Sequence, residues 1–179
     1  MREFTYESLL DDYALVQQGV KGLGDEHFEH FEFTSPKERD EFRAELFDEI
    51  RKDYAFKLLT LLEADVRKDF LISLRSRRRD GVSRAYRNLC EVYRRETRQV
   101  DKQAAQACRR IALGRIFDTL RDYFRGRDAE FRRVCSETKG YFGFRNWYAH
   151  GRAREMPVVP DPEDVYVVYE QFWEKVLGR

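Results

Sequence analysis

The chain has 179 residues, 42% of them hydrophobic and 15% aromatic, which predicts one domain with a substantial core. No apolar run approaches the roughly 18 residues of a membrane span and no signal-peptide pattern is present, so we expect a cytoplasmic protein with no membrane partner. The three cysteines, Cys90, Cys108 and Cys135, form no zinc pattern, and we expect them to be reduced thiols in the core.

The net charge of +1 conceals an uneven distribution along the chain. Residues 1–74 carry 10 Lys and Arg against 18 Asp and Glu (−8), residues 75–154 carry 22 against 9 (+13), and residues 155–179 carry 2 against 6 (−4). Of the 34 basic residues 26 are Arg, which binds two phosphate oxygens at once. The basic middle segment favours a polyanionic partner such as RNA. The alternative is that its arginines pair with the acidic N-terminal helices inside the fold.

The first predicted helix runs from about Thr5 to Val20. Its apolar stripe comprises Leu9, Tyr13, Val16 and Val20. Residues 25–34 alternate acids with aromatics, and we predict an irregular acidic loop there. The spacing of His27 and His30 occurs in metal sites, but no third ligand supports it, so a solvated loop is the stronger interpretation and we expect no metal and no cofactor.

The second predicted helix is long and begins at a strong signal. Ser35 can cap it, Pro36 fits its first turn, and Glu38 completes a capping box. Apolar residues recur at helical spacing to about Leu74. Within residues 55–62 they surround the helix, which predicts that this part lies at the centre of the core.

A basic turn follows at Arg75–Gly81. It is either a solvated loop or a contact to the RNA backbone, and the residues that would make this contact are Arg77, Arg78 and Arg79. Ser83 can then cap a helix that runs to about Glu96.

The next predicted helix spans Asp101–Arg125 and ends at Gly126. Another begins near Asp128. Gly140 and Gly143 lie in its second half, where they allow either a kink or the close approach of another backbone.

The last turn of that helix offers a cation, an amide and an imidazole within six residues: Arg145, Asn146 and His150. Gly151 is a plausible helix stop. Asn146 and His150 then stand one turn apart on the same face, whereas Arg145 is rotated from His150 by about 140°. A guanidinium suits a phosphate, and an imidazole can take a proton from a ribose hydroxyl or give one to a leaving oxygen. The alternative is a helix end whose aromatic residues pack in the core while Arg145 and His150 are solvated.

This pattern, Arg145-Asn146-x-x-x-His150, resembles the R-x4-H signature of the HEPN superfamily. HEPN proteins are small all-α domains, and many are metal-independent endoribonucleases that act as toxins or antiviral effectors. The resemblance covers residues 36–177 loosely and is specific only at the motif. It implies that two domains meet so that two motifs line one cleft, hence a homodimer. It also implies a partner such as a nucleotidyltransferase antitoxin.

Glu63 is the acid that we match to a HEPN feature, because these proteins often carry an acidic residue in a comparable central helix. It would orient Arg145 or His150. The alternative is an ordinary solvated acid that pairs with Arg67 one turn along.

The segment after the motif stays basic, and Arg152 and Arg154 are further candidates for RNA binding. Residues 152–162 contain three prolines and predict a stiff extended connection. Asp161 and Pro162 then start a last helix. We expect its apolar side to comprise Val165, Val168, Tyr169, Phe172, Trp173 and Val176.

Together these features predict an all-α fold, a single-domain helical bundle with one or two long helices, HEPN-like. Its parts are an N-terminal helix and acidic loop over 1–35, a helical core over 36–151, the connection 152–162 and a C-terminal helix over 163–177. The predicted function is a HEPN-type endoribonuclease in toxin–antitoxin or phage-defence systems. Two alternatives are a non-catalytic HEPN-like module that binds RNA or nucleotides, and a helical protein-interaction domain.

Overall fold

The protein is built from α-helices packed around one central helix. The computed structural model describes residues 5–24, 35–76, 78–97, 104–151, 155 and 157–178. No strand occurs in these residues, which confirms the predicted all-α fold. The helices are α1 Tyr6–Lys21, α2 Pro36–Arg75, α3 Gly81–Thr97, α4 Ala104–Arg109, α5 Leu113–Tyr123, α6 Ala129–Ala149 and α7 Pro162–Phe172, which continues as a π-helical turn over Trp173–Leu177.

Helix α2 is the long central helix that the sequence predicts. The Ser35 hydroxyl accepts from the Glu38 N–H at 3.3 Å, and a Glu38 carboxylate oxygen accepts from the Ser35 N–H at 3.0 Å, which completes the capping box. With 40 residues the helix is about 60 Å long. Its middle is fully buried at Ala55, Leu58, Leu59, Leu62 and Val66. Helices α1, α3, α6 and α7 all pack against it, so this segment organises the core.

Helices α5 and α6 form a hairpin whose turn contains Gly126 in the left-handed conformation, at φ 74°. Asp128 caps α6, since its carboxylate accepts from the Phe131 N–H at 2.9 Å. Phe117 and Phe131 then meet Phe172 of α7 edge to face at 5.7 and 5.0 Å. These aromatic contacts join the hairpin to the C-terminal helix.

Two predicted helix boundaries were wrong. Asp80, and not Ser83, caps α3: its carboxylate accepts from the Ser83 N–H at 2.8 Å and from the Ser83 hydroxyl at 2.6 Å. A carboxylate is both a better acceptor and the favoured charge at a helix N-terminus. The helix predicted over Asp101–Arg125 is interrupted between α4 and α5, where Ala112 is extended and Ile111 is buried. Asp101 lies outside the described residues.

The cysteines were also predicted incorrectly in part. Cys90 and Cys108 form a disulfide that joins α3 to α4, with 5.5 Å between their Cα atoms, a separation usual for this bond. The packing of α4 on α3 brings them together, which a sequence separation of 18 residues does not reveal. Cys135 is a buried free thiol as expected, and burial raises its pKa to about 12.

Two apolar residues predicted to face the core are exposed instead. Val16 is 38% exposed and Trp173 is 54% exposed, because each lies at the edge of its helix's apolar stripe. Across the described part of the chain, no helix combines the length and the apolar character that crossing a membrane requires.

Candidate functional site

The candidate site lies at the C-terminal end of α6. The His150 N–H donates to the Asn146 carbonyl at 3.1 Å and so closes the last turn. Gly151 follows at φ 79°, in the left-handed region that favours glycine, which confirms it as the helix stop. Arg145 and Asn146 therefore lie in the final turn, and His150 stands where the helix ends.

Aromatic side chains hold this turn against the core. Phe144 is fully buried, and Trp147 and Tyr148 pack beside it with ring centroids 6.1 and 5.7 Å away. Tyr148 also contacts Phe56 of α2 at 5.0 Å. The aromatic residues of this turn therefore pack against the core, as one of the two interpretations from sequence expected. Their packing also positions the polar residues of the same turn.

Glu63 contacts Arg145 and Arg67 simultaneously. One carboxylate oxygen lies 2.9 Å from Arg145 Nη2, and the other lies 2.8 Å from Arg67 Nε. The side chains of Glu63 and Arg145 are only 18% and 24% exposed, so solvent screens this pair less than a surface ion pair. Glu63 therefore makes both contacts that the sequence suggested as alternatives, one with Arg145 and one with Arg67.

The cluster keeps an excess positive charge, because two guanidiniums share one carboxylate. Arg67 is held further by its Nη1, which donates to the Ile111 carbonyl at 3.3 Å. Arg145 Nη1 donates to the Asn146 side-chain oxygen at 3.3 Å, and its buried Nε has no hydrogen-bond acceptor among the described residues. Arg145 is thus positioned by Glu63 yet retains N–H groups for an incoming anion.

His150 and Asn146 are both exposed. The Asn146 side-chain oxygen faces Arg145, and within the described residues no hydrogen bond joins that side chain to the imidazole of His150. The Asn146 side chain therefore contacts Arg145 and does not orient the imidazole of His150.

The other predicted RNA-binding residues are only partly described. Arg79 is exposed, whereas Arg78 lies 3.7 Å from the buried carboxylate of Asp69. Arg77, Arg152 and Arg154 lie outside the described residues. The same holds for the acidic loop 25–34 with His27 and His30.

Few basic residues of the middle segment reach the acidic N-terminal helices, and several pair instead with acids of their own segment. Within the described residues, only Arg78–Asp69 and Arg145–Glu63 join the two segments through ion pairs. Others bind neighbouring acids, as Arg115 binds Glu96 at 2.7 Å. Six exposed arginines have no side-chain partner among the described residues, which leaves them available to a polyanion: Arg75, Arg79, Arg84, Arg109, Arg110 and Arg132.

Sequence reasoning named Glu63 and its pairing with Arg67 but missed the contribution of Phe56. Phe56 lies on the same face of α2 at helical spacing, and that periodicity could have linked it to the other two residues. No pattern in the sequence indicated that the Ile111 carbonyl would accept a hydrogen bond from Arg67. Among the described residues, no group of three or more His, Cys, Asp or Glu could hold a metal ion.

Comparison of the chain with protein-family models, curated proteins and solved structures finds no match. The likeness to HEPN domains therefore rests on the Arg145–His150 motif and its placement on a helical fold.

Proposed function

We propose that the protein is a metal-independent endoribonuclease of HEPN type. The observation that carries this proposal is the end of α6, where Arg145 is held by Glu63 at 2.9 Å while His150 is exposed in the following turn. A cation held in place at the same helix end as an accessible imidazole is suited to phosphoryl transfer, which depends mainly on positioning and charge stabilisation.

In the proposed reaction the ribose 2′-oxygen forms a bond to phosphorus while the bond from phosphorus to the 5′-oxygen breaks. His150 takes the proton of the 2′-hydroxyl or donates one to the leaving 5′-oxygen. Arg145 binds the non-bridging oxygens and stabilises their developing charge. The Asn146 amide can donate to the same phosphate. The products carry a 2′,3′-cyclic phosphate and a 5′-hydroxyl.

The working unit that we propose is a homodimer. One imidazole cannot easily reach both oxygens of an in-line displacement, and a two-fold axis would supply a second His150. The outer face of α6 is open beside the motif, since a Cβ added at Gly140 or Gly143 would meet no heavy atom within 4 Å. Hence no described backbone of the same chain approaches these glycines. The face remains free for a second copy.

The toxin or phage-defence role and the regulatory partner follow from the resemblance alone. We propose a cytoplasmic toxin or phage-defence effector that cleaves RNA and is controlled by an antitoxin or regulatory protein. Arg77, Arg78, Arg79, Arg152 and Arg154 would contact the RNA backbone.

A second candidate function is a non-catalytic HEPN-like module that binds RNA or nucleotides. The observation that favours it is the lack of a hydrogen bond from Asn146 to His150, which leaves the imidazole without this orienting contact. A helical protein-interaction domain is a third candidate, in which the exposed arginines would bind an acidic protein.

The deciding experiment is incubation of the purified protein with total cellular RNA in EDTA, followed by sequencing and chemical analysis of the cut ends. We expect cyclic-phosphate ends, and we expect His150→Ala to lower the rate of RNA cleavage by at least about 100-fold. Arg133→Ala is a matched control for Arg145→Ala, because Arg133 is an exposed arginine of the same helix that pairs with Glu137.

Three other outcomes are informative. Metal-dependent cuts with 5′-phosphates would contradict the mechanism. RNA binding without cleavage, unchanged in His150→Ala, would favour the binding module. No RNA binding even at low salt would favour the protein-interaction domain.

A further inference from the structure

A cavity of about 640 Å³ lies on the opposite side of α2 from the candidate site. The start of α1, the middle of α2 and the end of α7 surround it. On α2 its wall is formed by Leu61 and Asp65, and Glu63 between them is rotated by about 200° to the other face of the helix. This cavity is therefore separate from the Arg145 cluster.

The cavity is strongly acidic. Glu7, Asp65 and Glu170 line it from α1, α2 and α7, and its described lining contains no Lys, Arg or His. None of the three carboxylates forms an ion pair with a described residue. Lys68 acts on Asp65 only through its electrostatic field, without a contact of 4 Å or less. Three helices thus bring three acids to one cavity without a compensating cation in its wall.

Aromatic rings form much of the remaining wall. Tyr6 stacks on Tyr169, and Tyr169 lies 6.3 Å from Trp173, whose indole is 54% exposed. Such rings attract cations through their faces, and Trp does so most strongly. They also cover apolar methylene groups well.

A buried hydroxyl provides an independent indication of a ligand. Tyr6 is 5% exposed and lines the cavity, yet its Oη has no hydrogen-bond partner among the described residues. Burial first, and the charge of Asp65 second, raise the pKa of Tyr6, so the phenol stays neutral. An N–H donor in the cavity would satisfy its oxygen.

We propose that this cavity binds an aliphatic polyamine. Ammonium groups separated by methylene segments match carboxylates separated by aromatic rings. A quaternary ammonium has no N–H for Asp65 or Tyr6, and a single lysine side chain brings one charge to three carboxylates. This inference is independent of RNA cleavage.

The test is titration of the RNA-free protein with spermidine by calorimetry and by tryptophan fluorescence. We expect saturable one-to-one binding, and Asp65→Asn, which is nearly isosteric, should weaken it about 10-fold, the effect of about 1.4 kcal/mol. Glu7→Gln and Glu170→Gln should each weaken it too. The matched control is Glu174→Gln, because this acid adjoins Trp173 but is 70% exposed and pairs with Lys175, and binding should stay within twofold.

Several results would overturn the proposal. These are no saturable binding, equal weakening in Glu174→Gln, or equal affinity for an uncharged diol of the same length. Binding of an arginine-rich peptide but not spermidine would mean that the cavity is a protein-docking site. Unfolding curves of each variant separate lost binding from lost folding.

Discussion

Glu63 and Asp65 lie two residues apart on α2, and the protein treats the two carboxylates in opposite ways. Glu63 is held between Arg67 and Arg145 at 2.8 and 2.9 Å. Asp65 faces the aromatic cavity without an ion pair to any described residue, and burial raises its pKa, with Lys68 opposing that shift. Two positions on one helix thus meet different segments: Glu63 meets α6, whereas Asp65 meets α1 and α7. The segment that an acid meets decides whether it is paired with a cation or left unpaired.

The largest effect is expected on the Glu63 side. Arg145→Ala removes the cation that faces the developing phosphate charge, so RNA cleavage should fall about 100- to 1,000-fold. Single-turnover kinetics measure this loss, with Arg133→Ala as the control. Equal activity in the two variants would show that Arg145 has no role in the chemistry.

The next largest effect is expected on stability, when the Cys90–Cys108 disulfide is removed. The disulfide anchors α4, and the chain leaves α4 toward Ile111, whose carbonyl accepts a hydrogen bond from Arg67. Because it closes a loop of 18 residues, Cys90→Ser should lower the free energy of unfolding by about 3 kcal/mol. Denaturant unfolding of this variant should match that of the reduced wild-type protein. A wild-type protein whose stability does not respond to reductant would contradict the prediction.

Glu63→Gln tests the anchoring of Arg145 more gently. The guanidinium keeps its charge but loses its partner, so we expect kcat to fall about 10-fold, the effect of a misplaced catalytic group. The KM for RNA should stay the same or fall, because a negative charge near the phosphate is removed. Glu137→Gln is the control, since Glu137 pairs with the exposed Arg133. A change in KM alone would indicate that Glu63 influences only binding.

The smallest effect is expected at Asp65. Its folded-state pKa is raised, so the folded protein binds a proton more tightly than the unfolded chain, and stability falls as pH rises from about 4 through that raised pKa. Asp65→Asn should therefore raise the free energy of unfolding at pH 7, by less than about 1 kcal/mol because solvent screens the cavity, and Tm should rise with it. The gain should vanish near pH 4. A loss of stability at pH 7 would mean that the charged form is favoured.

Local signals made much of the fold predictable. The side chains of Ser35 and Asp161 cap their helices as expected, α6 begins next to Asp128, and Gly151 ends it. Each of these features depends on residues within one helical turn, so the sequence carries the complete cause. The all-α class follows from the same local periodicity.

Features that depend on distant segments were not predictable. The disulfide requires α4 to pack on α3, and the break at Ala112 accompanies burial of Ile111 and its contact with Arg67. Similarly, the aromatic cavity exists only because α1 and α7 meet beside α2. Spacing on α2 predicted the pairing of Glu63 with Arg67, but the contact of Glu63 with Arg145 required the crossing of α2 and α6.

The most direct test of the central claim uses an RNA with one mapped cut site, in which the nucleotide on the 5′ side of the cut carries a 2′-deoxy group. The proposed reaction requires that 2′-hydroxyl as the nucleophile. We predict that cleavage at this position is abolished in EDTA, while the all-ribose RNA of the same sequence is cut and gives a cyclic phosphate. Cleavage of the deoxy-substituted RNA at the same bond would contradict the mechanism assigned to Arg145 and His150.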